Sequence, residues 1–376
     1  MTITRNPFIT NGYVSPEYFC DREKESEILL REVTNGNNIA LISTRRMGKT
    51  GLIQHCFRRK EIQKNYYTFF IDIYASKSLR DLVFVLSKEI LEKLLPVGKK
   101  ALQHFWECMK SLQASLTFDI NGNPSLGLGL GDIQAPMTTL DEIFNYLNHA
   151  DKPCLIAIDE FQQIAGYEED NIEALLRTYI QHCPNARFIF AGSQRHIMGN
   201  MFLTPSRPFY QSVSMMHLES IPLEKYTLFA QKHFAKAEKK ITNETVETIY
   251  QKFGGITWYM QKVLHTLYDM TPIQGTCTID MVKEAILQII DSFQYTYSEI
   301  LFRMPEKQKE LLIAITKEER ARAVTSGAFI KKYKLSSASS VQSALRGLLE
   351  KDFITQELGT YLIYDQFLGI WLKNNY

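Results

Sequence analysis

The stretch Ile39-Ala40-Leu41-Ile42-Ser43-Thr44-Arg45-Arg46-Met47-Gly48-Lys49-Thr50-Gly51-Leu52-Ile53 leaves this chain few folds to choose from. Four consecutive apolar residues read as the end of a strand buried on both faces. A short polar loop follows, and then a helix with apolar periodicity. The loop closes on Gly48-Lys49-Thr50, the back half of the phosphate-binding pattern G-x-x-x-x-G-K-[ST]. In such a loop consecutive backbone N–H groups wrap a phosphate, and the helix N-terminus adds a favourable dipole. The expected nucleotide-binding residues are Ser43, Thr44, Arg45, Arg46, Met47, Gly48, Lys49, Thr50 and Gly51. Lys49 would reach the β- and γ-phosphates, and the Thr50 hydroxyl would ligate Mg²⁺. Ser43 stands where the pattern has its first glycine, a departure that costs conformational energy if φ must be positive there.

A second strand carries the matching chemistry. Cys154-Leu155-Ile156-Ala157-Ile158-Asp159-Glu160 is an apolar run ending in two carboxylates, a Walker B pattern. A buried strand delivers Asp159 at its carboxyl end, where open α/β sheets bind ligands. Asp159 would hold Mg²⁺ through water, and Glu160 would orient and deprotonate the attacking water. By itself the run also reads as a strand ending in a solvated Asp-Glu turn; the upstream loop decides against that. The next apolar strand, Arg187-Phe188-Ile189-Phe190-Ala191-Gly192-Ser193-Gln194, ends in polar residues. Ser193 or Gln194 fits a contact to the γ-phosphate or to water, and either also fits a plain exit turn. Arg177, Arg195 and Arg207 are candidates to meet developing phosphate charge, with Arg207 taken as the catalytic one. Each also reads as a surface or structural arginine.

Between these strands, Tyr66–Ile73 is a strand rich in aromatic and β-branched residues, and a helix runs from Ser78 or Asp81 to about Leu95. Strand, helix, strand, helix argues for a parallel, helix-covered sheet. Residues 96–137 depart from that rhythm. Ser115–Ile120 and Ser125–Leu130 alternate around Asn121-Gly122-Asn123-Pro124, a hairpin signal, read as an insertion. Residues 195–220 read as a loop around Pro205, Arg207 and Pro208 that ends in a short strand, Ser212–Leu218. Helices follow at 223–237, 243–253, 256–269 and 278–294. From Pro305 the order is helix, helix, polar turn, helix and a two-stranded wing, a winged helix-turn-helix. The domain boundaries expected are 1–220, 221–300 and 301–376. Over 301–376 twelve Lys/Arg stand against eight Asp/Glu, a net of +4. Residues 336–346 are placed to meet double-stranded DNA, and such modules also dock proteins.

The whole chain carries only +2, so no global field announces nucleic acid or membrane. The six cysteines are scattered without metal-ligand spacing and read as small buried hydrophobes. No apolar run reaches the length of a membrane span, and the start lacks the apolar segment of a signal peptide. Together these point to a cytoplasmic protein without a membrane partner.

Taken in order, the motifs resemble the archaeal-type ATPase family of AAA+ proteins, related to STAND signalling ATPases and origin-recognition ATPases. Phe19 to Glu25 is similar to the family's opening motif, a hydrophobic pair followed by Gly-Arg-Glu-x-Glu, with Asp21 in place of Gly. Thr44 to Thr50 resembles its Gly-Pro-Arg-Arg-x-Gly-Lys-Thr loop, and Gly254-Gly255-Ile256-Thr257 its Gly-Gly-x-Pro motif, with Thr257 in place of Pro. Tyr364-Asp365-Gln366-Phe367 with Trp371-Leu372 resembles its closing motif. The resemblance implies an α/β fold: a P-loop AAA+ parallel sheet core with a β-hairpin insertion, a helical lid and a C-terminal winged helix-turn-helix. It places Phe19 and Arg22 near the adenine and Gly255 at the nucleotide. It implies an ATP-binding, Mg²⁺-dependent ATPase coupling ATP binding and hydrolysis to a conformational switch, acting on or near DNA. Two other readings stand beside it: a nucleotide-gated, non-hydrolysing DNA-binding regulator, and a signalling or defence scaffold whose winged helix docks a protein.

Overall fold

A computed structural model describes residues 6–94, 110–111, 115–118, 124–357 and 359–376 of the chain. Its architecture follows from the alternation along Ile39–Ile42 (β1). Ile39 and Leu41 pack on one face with Leu52, Ile53, Leu155 and Ile189. Ala40 and Ile42 pack on the other with Phe69, Ile71, Ile156 and Phe190. A strand apolar on both faces must have both covered, which is the parallel-sheet arrangement.

The sheet has five parallel strands: β1, Tyr67–Asp72 (β2), Cys154–Asp159 (β5), Ala186–Gly192 (β6) and Ser214–His217 (β7). Their order is β2-β5-β6-β1-β7. Ser115–Phe118 (β3) and Pro124–Gly127 (β4) form a separate antiparallel hairpin, as the alternation predicted. The residues between them, including Asn121-Gly122-Asn123, lie outside the described residues. The order decides where chemistry can happen. β6 lies between β1 and β5, with Ile42 opposite Gly192 and Ile158 opposite Phe190. The loops leaving β1, β5 and β6 therefore emerge side by side at one sheet edge.

Glu23–Thr34 (α1), Lys49–Phe57 (α2), Lys60–Asn65 (α3), Leu79–Leu94 (α4), Pro136–Asn148 (α5), Ile172–Gln181 (α6) and Arg195–Leu203 (α7) complete this part. One segment adds to the sequence reading and another corrects it. The mostly polar residues 58–65 contain α3, pinned by buried Ile62. Residues 195–203, read as loop, form α7. Its Met198, Met201 and Phe202 fall at i, i+3 and i+4 and are buried, while Gly199 and three polar neighbours hide the period.

The chain forms two compact units. One comprises Ile9–Tyr226 together with Ile256–Trp258. The other comprises the described residues up to Phe8, Thr227–Gly255 and Tyr259–Tyr376. Helices Leu223–Lys236 (α8), Asn243–Phe253 (α9), Thr257–Met270 (α10) and Asp280–Arg303 (α11) supply most of the second unit's first half. Gly254 adopts φ +61 just past α9 and closes it in the left-handed conformation that favours glycine. A two-residue parallel pair, Lys240–Ile241 (β8) with Thr276–Cys277 (β9), gave no sequence signal.

The winged helix is present. It runs Glu306–Glu318 (α12), Ala321–Arg322 (β10), Gly327–Tyr333 (α13), Ala338–Glu350 (α14), Ile354–Glu357 (β11) and Thr360–Ile363 (β12), ending in Gln366–Asn375 (α15). The three strands pair in the order β10-β12-β11. Ser326 and Ser337 cap α13 and α14, accepting the N–H groups of Phe329 and Ser340. α14 buries Val341, Ala344, Leu345 and Leu348, so Ser339, Gln342, Ser343 and Arg346 form its exposed stripe. The five described cysteines, Cys20, Cys56, Cys154, Cys183 and Cys277, are free and buried; Cys108 lies outside the described residues. Among the described residues, no helix is long and apolar enough to cross a membrane.

Candidate nucleotide site

β1 ends at Ile42, and the loop 43–48 delivers the chain into α2 with Lys49 as its first residue. The left-handed positions in this loop are Arg46 (φ +68) and Gly48 (φ +94). Ser43 is not among them, so the missing first glycine carries no backbone cost. Ser43 is instead fully buried and polar-bonded: its hydroxyl donates to the Thr44 carbonyl at 2.9 Å. Lys49 folds back, its Nζ donating to the Ser43 hydroxyl at 3.3 Å and carbonyl at 3.5 Å. The N–H groups of Met47 and Gly48 meet no acceptor among the described residues. Unpaired N–H groups in a loop with left-handed residues are the makings of an anion cradle.

The loop's carbonyls, by contrast, are tied. Trp258 N–H donates to the Arg46 carbonyl at 3.0 Å, and the Arg46 guanidinium lies 4.3 Å from the centre of the Trp258 ring. The Met47 carbonyl accepts from the Thr257 hydroxyl at 3.0 Å and from Arg22 at 3.3 Å. Thr257 thus does with a hydroxyl what a proline there cannot do. Thr257→Val keeps the shape and loses the donor. It is expected to cost about 1 kcal/mol, roughly fivefold in ADP affinity, as read by titration. Arg22, which the resemblance placed near the adenine, is 3% exposed and paired with Glu25 at 2.7 Å. A guanidinium with two partners inside the unit is a buried anchor.

Across the sheet edge the Thr50 hydroxyl donates to Asp159 Oδ2 at 2.8 Å. This joins the two motifs across 109 residues of sequence. Glu160 follows with φ +56, and its N–H returns to Asp159 Oδ1 at 3.0 Å. Its carboxylate Oε2 accepts from Ser193 at 2.8 Å and from the Gln162 amide. Arg45 Nε donates to the Ser193 hydroxyl at 3.2 Å. So Arg45, Lys49, Thr50, Asp159, Glu160 and Ser193 converge at one sheet edge. Gln162 joins them without having been foreseen. Gln194 does not join: it caps α7, with its carbonyl accepting from Met198 N–H.

Burial governs the electrostatics. It pulls the Lys49 ammonium below its ordinary pKa, against the charges of Asp159 and Glu160, with Arg45 and Arg195 pushing the same way as burial. It pushes Asp159 above the usual carboxylate range, against the Thr50 hydrogen bond and the Lys49 charge. An anion beside Lys49 and a cation beside Asp159 would each restore the charged form. The Thr50 hydroxyl and Asp159 carboxylate are hard oxygen donors of the kind Mg²⁺ takes.

The remaining predicted residues are placed as follows. Phe19 stacks on His55 of α2, with ring centres 4.5 Å apart, and a β-carbon at Gly51 would sit 3.4 Å from it. Burial lowers the His55 pKa, and Tyr13 Oη lies 2.9 Å from its Nδ1. Arg207 is not in the cluster. Its guanidinium pairs with Glu173 of α6, and with Arg177, Ser206 and Tyr210 it lines an open cleft of about 430 Å³. Gly255 belongs to the second unit, with φ +66 and its N–H donating to the Tyr250 carbonyl.

The model of an ATPase domain predominantly from Archaea matches residues 19–263. The chain belongs to this family. It is an ATPase. A probable winged helix domain matches residues 295–374. Among solved structures, a Walker-type ATPase of Pyrococcus abyssi superposes with a TM-score of 0.64 at 18% identity, covering 98% of this chain and 99% of that one. The ORC2 protein of Aeropyrum pernix, in ADPNP-ADP complexes, gives 0.57 at 14% identity over 99% and 97%. The ORC1 protein of the same organism, in complex with DNA, gives 0.55 at 12% over 96% and 94%. At these identities the likeness speaks to the fold. No curated protein sequence matches the chain.

Proposed function

We propose that residues 43–51, 159–160 and 193 form a Mg²⁺-dependent site for hydrolysis of the β–γ bond of ATP. The observation that carries this reading is the Thr50–Asp159 hydrogen bond, which brings a hydroxyl and a buried carboxylate together beside Lys49. Thr50 and Asp159 would hold Mg²⁺, which when bound supplies charge neutralisation at the phosphates. Loop N–H groups and Lys49 bind the β- and γ-phosphates. Glu160 orients a water and takes its proton as the oxygen attacks the γ-phosphorus. The bond to the β-phosphate oxygen breaks, and ADP leaves with that electron pair. Arg22, through the Met47 carbonyl, acts on the loop rather than on the adenine.

ATP binding and hydrolysis drive a conformational switch whose output is duplex DNA, met through residues 336–346 in the cytoplasm. The exposed Ser339, Gln342, Ser343 and Arg346 and the local charge of +4 support this. So does the DNA held by the Aeropyrum ORC1 protein, whose fold this chain shares. The test is duplex binding over a salt series. Contacts from Lys331, Lys334 and Arg346 to three phosphates predict a log–log slope of about −3. Arg346→Ala is expected to reduce that slope by about 1. A flat salt response, or no binding, would instead favour a winged helix that docks a protein.

A further inference from the structure

We propose that Gln162 is a positioning residue for Glu160, holding the carboxylate through which the attacking water is activated. The inference rests on the reading of Glu160 as the base. Gln162 is 3% exposed, and its amide nitrogen donates to Glu160 Oε2 and lies 3.4 Å from the Ser193 hydroxyl. Ser193 donates to the same Oε2. One carboxylate oxygen is therefore held from two sides, while Oε1 accepts nothing from the described residues and is left to take a proton. The clamp extends to the loop, because Arg45 donates to Ser193.

The backbone is shaped to put Gln162 there. Glu160 occupies the left-handed region, which a non-glycine residue adopts only when its surroundings hold it. Phe161 anchors the turn, fully buried among Phe190, Phe202 and Phe209. A β-carbon at position 192 would come within 2.7 Å of Gln162 Oε1 and 2.5 Å of Met198 Sδ, so Gly192 keeps the space for the amide. A packing role alone does not explain the residue. Gln162 Oε1 is buried without a partner, a cost that leucine of similar size would avoid. The polar end is retained at that cost, and its donor side meets the base.

The experiment uses the full chain with Gln162→Leu, alone and combined with Glu160→Gln. Phosphate release gives kcat and KM for ATP, and titration gives ADP affinity. The single variant is expected to lose about 10- to 100-fold in kcat, the scale of a misplaced reacting group, with ADP affinity changed less than twofold. In the Glu160→Gln background the same substitution is expected to add no further loss, since the group it positions is gone. Gln162→Met, more pliable in the same space, serves the same comparison if the leucine variant is unstable. Wild-type kcat in Gln162→Leu, an equal loss in affinity and kcat, or a fully additive loss in the double variant overturns the assignment. Wild-type turnover by Glu160→Gln alone removes the base reading and this assignment with it. Loss in Glu160→Gln beside normal turnover in Gln162→Leu overturns this assignment only.

Discussion

Glu160→Gln is expected to bind ATP with near wild-type affinity and to turn it over about 10²- to 10⁴-fold more slowly, the usual contribution of a positioned general base. The substitution preserves length and planarity and can still accept from Ser193 through its amide oxygen. What it removes is the capacity to take a proton from water. Binding should survive because the contacts expected to hold the phosphates, the loop N–H groups and Lys49, are untouched. Phosphate release under single-turnover conditions, beside an ATP titration, separates the two quantities. Turnover equal to wild type would remove Glu160 from the role of base.

Lys49→Ala is expected to fail earlier, at binding as well as turnover. Lys49 is 6% exposed, and its ammonium is held by Ser43. Loss of one preorganised electrostatic contact of this kind costs about 10²- to 10³-fold in kcat. The free protein should behave differently. Burial holds the Lys49 pKa below its unfolded value, so its charged form destabilises the fold. That penalty is full below the depressed folded pKa and fades as pH rises through it toward the unfolded one. Lys49→Ala should therefore melt near or above wild type without nucleotide at neutral pH. With ADP at about 100 times the wild-type Kd, wild type should gain about 2.7 kcal/mol and the variant little. A variant that melts lower without nucleotide, yet gains as much with ADP, would show Lys49 to be a structural charge.

The site was legible where its chemistry is local in sequence. Gly48-Lys49-Thr50 and Asp159-Glu160 are short patterns at strand ends, and the sheet order brings those ends together. What escaped is tertiary. Thr257 reaches Met47 across 210 residues, and Arg45 reaches Ser193 across 148. No periodicity reports such pairs. Nothing in the residues around Arg22 shows that its guanidinium is buried against the Met47 carbonyl. Gln162 was near at hand in sequence, but two residues past a strand nothing marks which side chain turns back. The concern over Ser43 came from assigning the strained conformation to the wrong position. The positive φ values fall on Arg46 and Gly48, and Ser43 serves as the buried partner of Lys49. The helix at 195–203 was hidden by an atypical composition, methionine and phenylalanine against glycine, histidine and asparagine.

The ATPase unit is not one continuous piece of chain. Residues 9–226 carry every Walker motif, yet three further residues, Ile256–Trp258, belong with them. Those three supply two of the three donors that tie the Arg46 and Met47 carbonyls. A gene cut after residue 226 would encode the phosphate loop and the Walker B strand and leave the loop slack. Inheritance of the motif set and inheritance of a working phosphate loop are thus separable events. Any recombination that exchanges the C-terminal half must bring its own Thr-Trp pair, or lose its hold on a loop encoded two hundred residues upstream.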